Sequence, residues 1–103
     1  MDQEPVITRV KQFAEVVRKN FRVKKIILYG SYAKGSAGKH SDIDVAVVLD
    51  NDEEDLLTSE AKLFKLRRAI DARIEPVLLD ETKDTSGFLE EIIKTGEVIY
   101  SVD

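Results

Sequence analysis

Two aspartates separated by one residue, Asp42 and Asp44, open a segment that is otherwise apolar, Val45-Ala46-Val47-Val48-Leu49. A run of this kind reads as a buried strand, Asp42 to Leu49. Side chains alternate across a strand, so the two carboxylates share a face with Cα atoms about 6.5 to 7 Å apart. Carboxylates leaning together can share divalent cations. Two magnesium ions about 3.5 to 4 Å apart, bridged by such oxygens, clamp the attacking and leaving oxygens of an in-line phosphoryl displacement. Magnesium prefers hard oxygen ligands and is completed by substrate phosphates, so two or three carboxylates without histidine or cysteine are the share expected of the protein. Glu75 is the candidate third carboxylate, two residues into Arg73-Ile74-Glu75-Pro76-Val77-Leu78-Leu79, where it can also help take the proton of an attacking group. The competing reading of Glu75 is a surface glutamate on an edge strand, paired with Arg73 or a lysine.

A phosphate partner for those carboxylates is readable upstream. Gly30-Ser31 directly follows Lys25-Ile26-Ile27-Leu28-Tyr29, a short β-branched apolar strand, and starts a glycine- and serine-rich loop that runs to Ser41. Gly30 lets a phosphate approach the backbone, and the Ser31 hydroxyl can donate to a terminal phosphate oxygen. Tyr32-Ala33-Lys34-Gly35 can turn into a helical segment whose free amides attract anions at the same mouth, with Lys34 and Lys39 as further cations. The spacing of a Walker A loop is absent. His40, the only histidine, reads as an exposed loop residue because carboxylates and metal already activate a nucleophile. Tyr29 reads as core at a strand end. Tyr32 either covers a nucleotide base or packs under the loop, and neither tyrosine joins the catalytic set.

The elements that position these residues follow from periodicity. Pro5 suits a first helical turn, and Ile7, Val10, Ala14 and Val17, widened by Phe13 and Val16, mark an amphipathic helix from Pro5 to Asn20. Arg18, Lys19, Arg22, Lys24 and Lys25 cluster at its end, where cations complement exposed carbonyls. That reading is preferred to a nucleic-acid patch, because no aromatic interleaves with them on a recognisable platform. Asp50 to Asp55 holds five carboxylates around Asn51 and reads as the solvated start of a helix carrying Leu56, Leu57, Ala61, Phe64 and Ile70. Pro76 lacks a ladder amide, which places the Arg73–Leu79 strand at an edge. Phe88, Leu89, Ile92 and Ile93 mark a short helix ended by Gly96, with Val98-Ile99-Tyr100 as a last strand. Phe64, Phe88 and Tyr100 suit core packing. The order implies an α+β, two-layer arrangement: a small mixed sheet with helices packed against it.

Composition narrows the classes. With 103 residues, 43% hydrophobic and 35% charged, the chain is expected to form one domain over 1–103 with a buried core and a solvated surface. A net charge of −4 argues against binding long nucleic acid as the main task. The absence of cysteine excludes disulfides, thiolate metal sites and cysteine nucleophiles. The start of the chain is acidic and polar, and no stretch approaches the about 18 apolar residues of a membrane span, so a cytoplasmic location is expected.

Gly30-Ser31, ten residues, then Asp42-Ile43-Asp44, each at the edge of an expected strand, resembles the G-S-x10-D-x-D signature of the polymerase-beta-like nucleotidyltransferase superfamily. Leu28 to Gly35 and Ser41 to Val45 look like its minimal nucleotidyltransferase (MNT) branch, and the resemblance covers nearly the whole chain. It implies the polymerase-beta-like fold and transfer of a nucleoside monophosphate, AMP from ATP, with pyrophosphate leaving. Gly30 and Ser31 would hold the triphosphate, Asp42 and Asp44 would bind both Mg2+ ions, and Glu75 stands where a third carboxylate, often aspartate, is found. Lys34 replaces an arginine common in that loop, keeping charge but losing bidentate geometry. Minimal members resemble the small partner of modules with a HEPN-domain toxin, where the nucleotidyltransferase is the antitoxin and attaches AMP to the partner. The alternatives are a non-catalytic antitoxin that neutralises a HEPN partner by complex formation, and a small-molecule nucleotidyltransferase. An oligomer is compatible with either.

Overall fold

The computed structural model describes residues 4–34, 42–49, 56–80 and 87–102. Elements follow in the order α1 (Glu4–Asn20), β1 (Val23–Tyr29), α2 (Ser31–Lys34), β2 (Ile43–Leu49), α3 (Leu56–Arg67), β3 (Ile74–Asp80), α4 (Phe88–Thr95) and β4 (Glu97–Ser101). The strands form one mixed sheet in the order β3-β2-β1-β4, with β2 and β3 parallel and the other pairs antiparallel. Pro76 therefore lies on an outer strand, as its missing amide requires.

Alternation along each strand divides the core into two layers. Ile26 and Leu28 of β1, Ile43, Val45, Val47 and Leu49 of β2, and Ile74 and Leu78 of β3 pack on one face, under α1 and α3. Ile27, Ala46 and Val48 face the other way, against Ile92 of α4, with Tyr29, Leu79 and Leu89 half-buried around them. A strand pair buried on both faces explains why β1 and β2 read as nearly continuous apolar runs. α1 buries Val6, Val10, Phe13, Ala14 and Val17, a stripe centred one residue before Ile7, which is half-buried.

Two expectations need correction. The buried face of α3 is carried by Ser59 and Leu63, while Leu57 is 78% and Phe64 36% exposed. The helix holds two stripes of identical spacing, Leu57-Ala61-Phe64 and Ser59-Leu63-Leu66, and a serine at the head of the second disguises the one that packs. Phe88 also stands outside the core at 40% exposure, its ring edge-on to Tyr29 with centroids 5.9 Å apart. Tyr100 is half-buried against the α1 layer, as read. The acidic segment 50–55 lies outside the described residues.

Gly96 joins α4 to β4 at a point with no room for a side chain. Its amide donates to the Ile92 carbonyl at 2.7 Å. A β-carbon there would lie 2.7 Å from both the Ile92 and Leu28 carbonyl oxygens. Gly96→Ala is expected to cost about 1–3 kcal/mol, read as a lowered urea midpoint with unchanged m-value.

Candidate active site

At one end of the sheet, three neighbouring strands bring a row of polar side chains onto the α4 face. Tyr29, the last residue of β1, is the register partner of Asp44 on β2, and Asp44 is the partner of Glu75 on β3. Paired strands run about 4.8 Å apart. Asp42, exposed just before β2, falls on the same face as Asp44 by alternation. The three carboxylates read from the sequence are thus brought to one rim. Burial, then the negative charges of Asp42 and Glu75, hold the Asp44 carboxyl above the usual aspartate range. The Tyr29 phenol is likewise pushed up, first by burial and then by Asp44.

Gly30 closes this end of β1 with φ 76°, a left-handed conformation that side chains resist. A β-carbon on it would overlap the Asp44 carboxylate. Glycine is needed here twice over, for the turn and for the close approach. The chain then enters α2, of which Ser31 and Lys34 are the first and last residues. Their side chains, and residues 35–41 with Lys39 and His40, lie outside the described residues, so these candidates are placed by chain position alone. Tyr32 is 1% exposed in the α1 layer, where it packs as a core residue.

Sequence reasoning missed Arg67. Its Nη1 donates to the Ile74 carbonyl at 2.7 Å and stands 3.4 Å from Glu75 Oε1, while the guanidinium lies over the Phe64 ring at 4.6 Å. From the end of α3 this residue reaches the free edge of β3 and engages both a main-chain acceptor and the outermost carboxylate. Glu75 thus has the cationic partner that its edge-strand reading gave it, but from Arg67; Arg73, named there, forks onto Asp71 at 2.8 Å and donates to the Tyr32 hydroxyl at 3.4 Å. The guanidinium of Arg73 holds the Asp71 carboxyl below its usual range. Tyr29 was also undervalued. Spacing to Asp44 across a strand pair depends on register, which the sequence alone leaves open.

Whether the rim suits a divalent cation can be judged from its donors. The described residues of the rim offer hard oxygens, and the like charges that, after burial, raise Asp44 are what a cation relieves. Among the described residues no three acidic or histidine side chains are close enough as placed to hold one ion. Glu75 is drawn towards Arg67. Hard oxygen donors of this kind suit magnesium, and the Asp42 and Asp44 pair would form the nucleus of such a site, with Glu75 as its outer member.

An ionised Asp44 weakens the apo fold. Its folded pKa lies above the unfolded value of about 3.9. The native state therefore binds the proton more readily, and stability falls as pH rises from about 3.9 through the folded pKa. Asp44→Asn removes that cost. In thermal melts without divalent ions it is expected to raise Tm by about 2 °C at pH 7, a modest gain because the group is partly solvated. The gain should vanish below about pH 3.9; an equal effect at both pH values would show that the carboxylates do not crowd.

The comparisons with known proteins agree with this geometry. Residues 11–103 match the family described as polymerase beta, nucleotidyltransferase. A protein of Methanocaldococcus jannaschii, provisionally named a protein adenylyltransferase, is 34% identical over 94 residues that span 88% of this chain and 94% of the relative. Among solved structures, a toxin–antitoxin structure with AMP-PNP aligns with a TM-score of 0.69 at 25% identity, over 90% of this chain and 74% of the other. The tri-AMPylated HEPN toxin of Shewanella oneidensis in complex with MNT antitoxin aligns with a TM-score of 0.64 at 23% identity, over 92% and 71%. No helix among the described residues is long and apolar enough to cross a membrane. With a matching sequence over almost its whole length and the sheet and helices of its structural neighbours, the chain belongs to the polymerase beta nucleotidyltransferase family.

Proposed function

We propose that the chain transfers AMP from ATP to a hydroxyl on a HEPN-domain protein and thereby acts as the antitoxin of a two-protein module in the cytoplasm. The observation that carries this reading is the Asp42, Asp44 and Glu75 rim set against a left-handed Gly30, in a chain of a nucleotidyltransferase family. Support for the acceptor comes from the structural neighbour that contains an AMPylated HEPN toxin and from the relative named for protein adenylylation. AMP-PNP in another neighbour favours ATP as donor.

In the reaction, the acceptor oxygen forms a bond to the α-phosphorus of ATP as the bond from that phosphorus to the bridging oxygen breaks, and pyrophosphate leaves. Asp42 and Asp44 would hold magnesium, with Glu75 joining them by releasing Arg67. Magnesium bound there supplies positive charge to the phosphate oxygens and eases loss of the acceptor proton. Glu75 is the carboxylate assigned to accept that proton at a side-chain oxygen. Gly30 leaves the backbone open to the triphosphate, the Ser31 hydroxyl donates to it and Lys34 balances its charge. Tyr29 and Phe88 stack edge-on at the α4 side of the mouth.

A chain kept only as a binding module gains nothing from like charges that crowd Asp44. The discriminating experiment combines ATP labelled at the α-phosphate, magnesium and the HEPN protein encoded nearby. Label should move to the partner, and Asp42→Asn or Asp44→Asn should lower the rate at least about a hundredfold. ATP with magnesium should also raise the wild-type Tm by several degrees at saturation. Partner neutralisation that survives both substitutions, with no label transferred by the wild type, would assign the chain to the non-catalytic reading.

A further inference from the structure

A surface depression among the described residues lies away from the rim. It has a volume of about 750 Å³ and is lined by the end of α1, the start of β1 and the end of β4. Val23 lines it, and Val23 and Tyr29 are the two ends of β1. A seven-residue strand rising about 3.4 Å per residue puts the depression about 20 Å from the mouth. It cannot be part of the nucleotide site.

Its lining is unlike the protein as a whole. Arg18, Lys19, Arg22 and Lys24 surround it, and Glu15 is the single carboxylate among the described lining residues, so their summed charge is positive in a chain of net charge −4. Glu15 is already engaged by Arg18 Nη1 at 2.9 Å. Phe21 and Tyr100 supply apolar surface between the cations. The Arg18 guanidinium lies 4.1 Å from the Tyr100 ring centroid, covering one of its faces. A covered ring is a poor platform for stacking bases, and the overall negative charge repels a long polyanion. A short acidic segment carries fewer charges against that net field and needs no open ring face to stack on.

We propose that this groove binds an acidic segment of a partner protein, its carboxylates pairing with Lys19 and Arg22 and an apolar side chain resting on Phe21 and Tyr100. Arg, with its planar fork, suits carboxylate recognition. The interaction is independent of nucleotide and of the transfer reaction, so its failure and the failure of that reaction are separate results.

The test measures anisotropy of a fluorescein-labelled octapeptide of glutamate, aspartate and leucine, titrated with the full chain at low salt. Saturable binding is expected, weakened at least about tenfold by Lys19→Glu with Arg22→Glu. Both positions are exposed, and circular dichroism melts together with the milder Lys19→Ala, Arg22→Ala pair keep the result readable if the charge reversals disturb folding. A control pair on α3, Lys62→Glu with Lys65→Glu, makes the same change in net charge and should leave affinity within about twofold. The proposal is overturned if the peptide does not bind, or if groove and control pairs weaken it equally. It is also overturned if labelled oligouridylate binds more tightly and is lost with the groove pair. Self-association in sedimentation velocity that the groove pair abolishes would assign the surface to a second copy of the chain instead.

Discussion

Burial of an acidic side chain among like charges at the head of β2 is the constraint around which the mouth is built. Asp44 is flanked by Asp42 along its own strand and by Glu75 across the parallel pair, and its partial burial denies it the full screening of water. Such an arrangement opposes folding and persists only because the rest of the sheet is strongly held. Behind the rim, β1 and β2 are buried on both faces between α1 and α3 on one side and α4 on the other. Arg67 draws off part of the negative charge at the outer strand, at the long distance of 3.4 Å, and spends its shorter 2.7 Å bond on the Ile74 carbonyl. The weaker contact leaves Glu75 able to exchange partners, whereas the main-chain bond keeps the guanidinium in place.

Backbone geometry is tied to the same charges. Because the Asp44 carboxylate lies where a Gly30 side chain would begin, the turn out of β1 and the position of the acid are mutually dependent. A larger residue at 30 would be opposed by its φ and by the aspartate at once. The short α2 that follows is anchored by Tyr32, buried beneath it.

Much of this was legible in the sequence, for identifiable reasons. β1 and β2 declare themselves because a doubly buried strand has no polar face, β3 was readable from its apolar residues Ile74 to Leu79, and Pro76 identified the edge. Asp42 and Asp44 were readable because alternation is a local rule. What depends on register was not. The pairing of Tyr29 with Asp44 and of Asp44 with Glu75 is set by how strands align across loops, and nothing in either segment states the offset. Arg67 was invisible for a related reason, since its two contacts lie seven and eight residues away on a different element. The packing face of α3 was misread because Ser59 is buried where an apolar residue was sought. The basic cluster after α1 was read along the chain, whereas its aromatic neighbour Tyr100 arrives from the last strand.

The placement of the tyrosines has a practical consequence for optical work. The chain contains no tryptophan and three tyrosines, so phenol emission is its entire intrinsic fluorescence. Tyr29 stands beside a carboxylate at the mouth, Tyr100 lies under a guanidinium in the groove 20 or so Å along the strand, and Tyr32 is enclosed in the interior. Each phenol thus reports on a different region. Replacing two of the three by phenylalanine in turn would yield single-emitter proteins in which quenching at either end of the sheet can be followed without any attached dye.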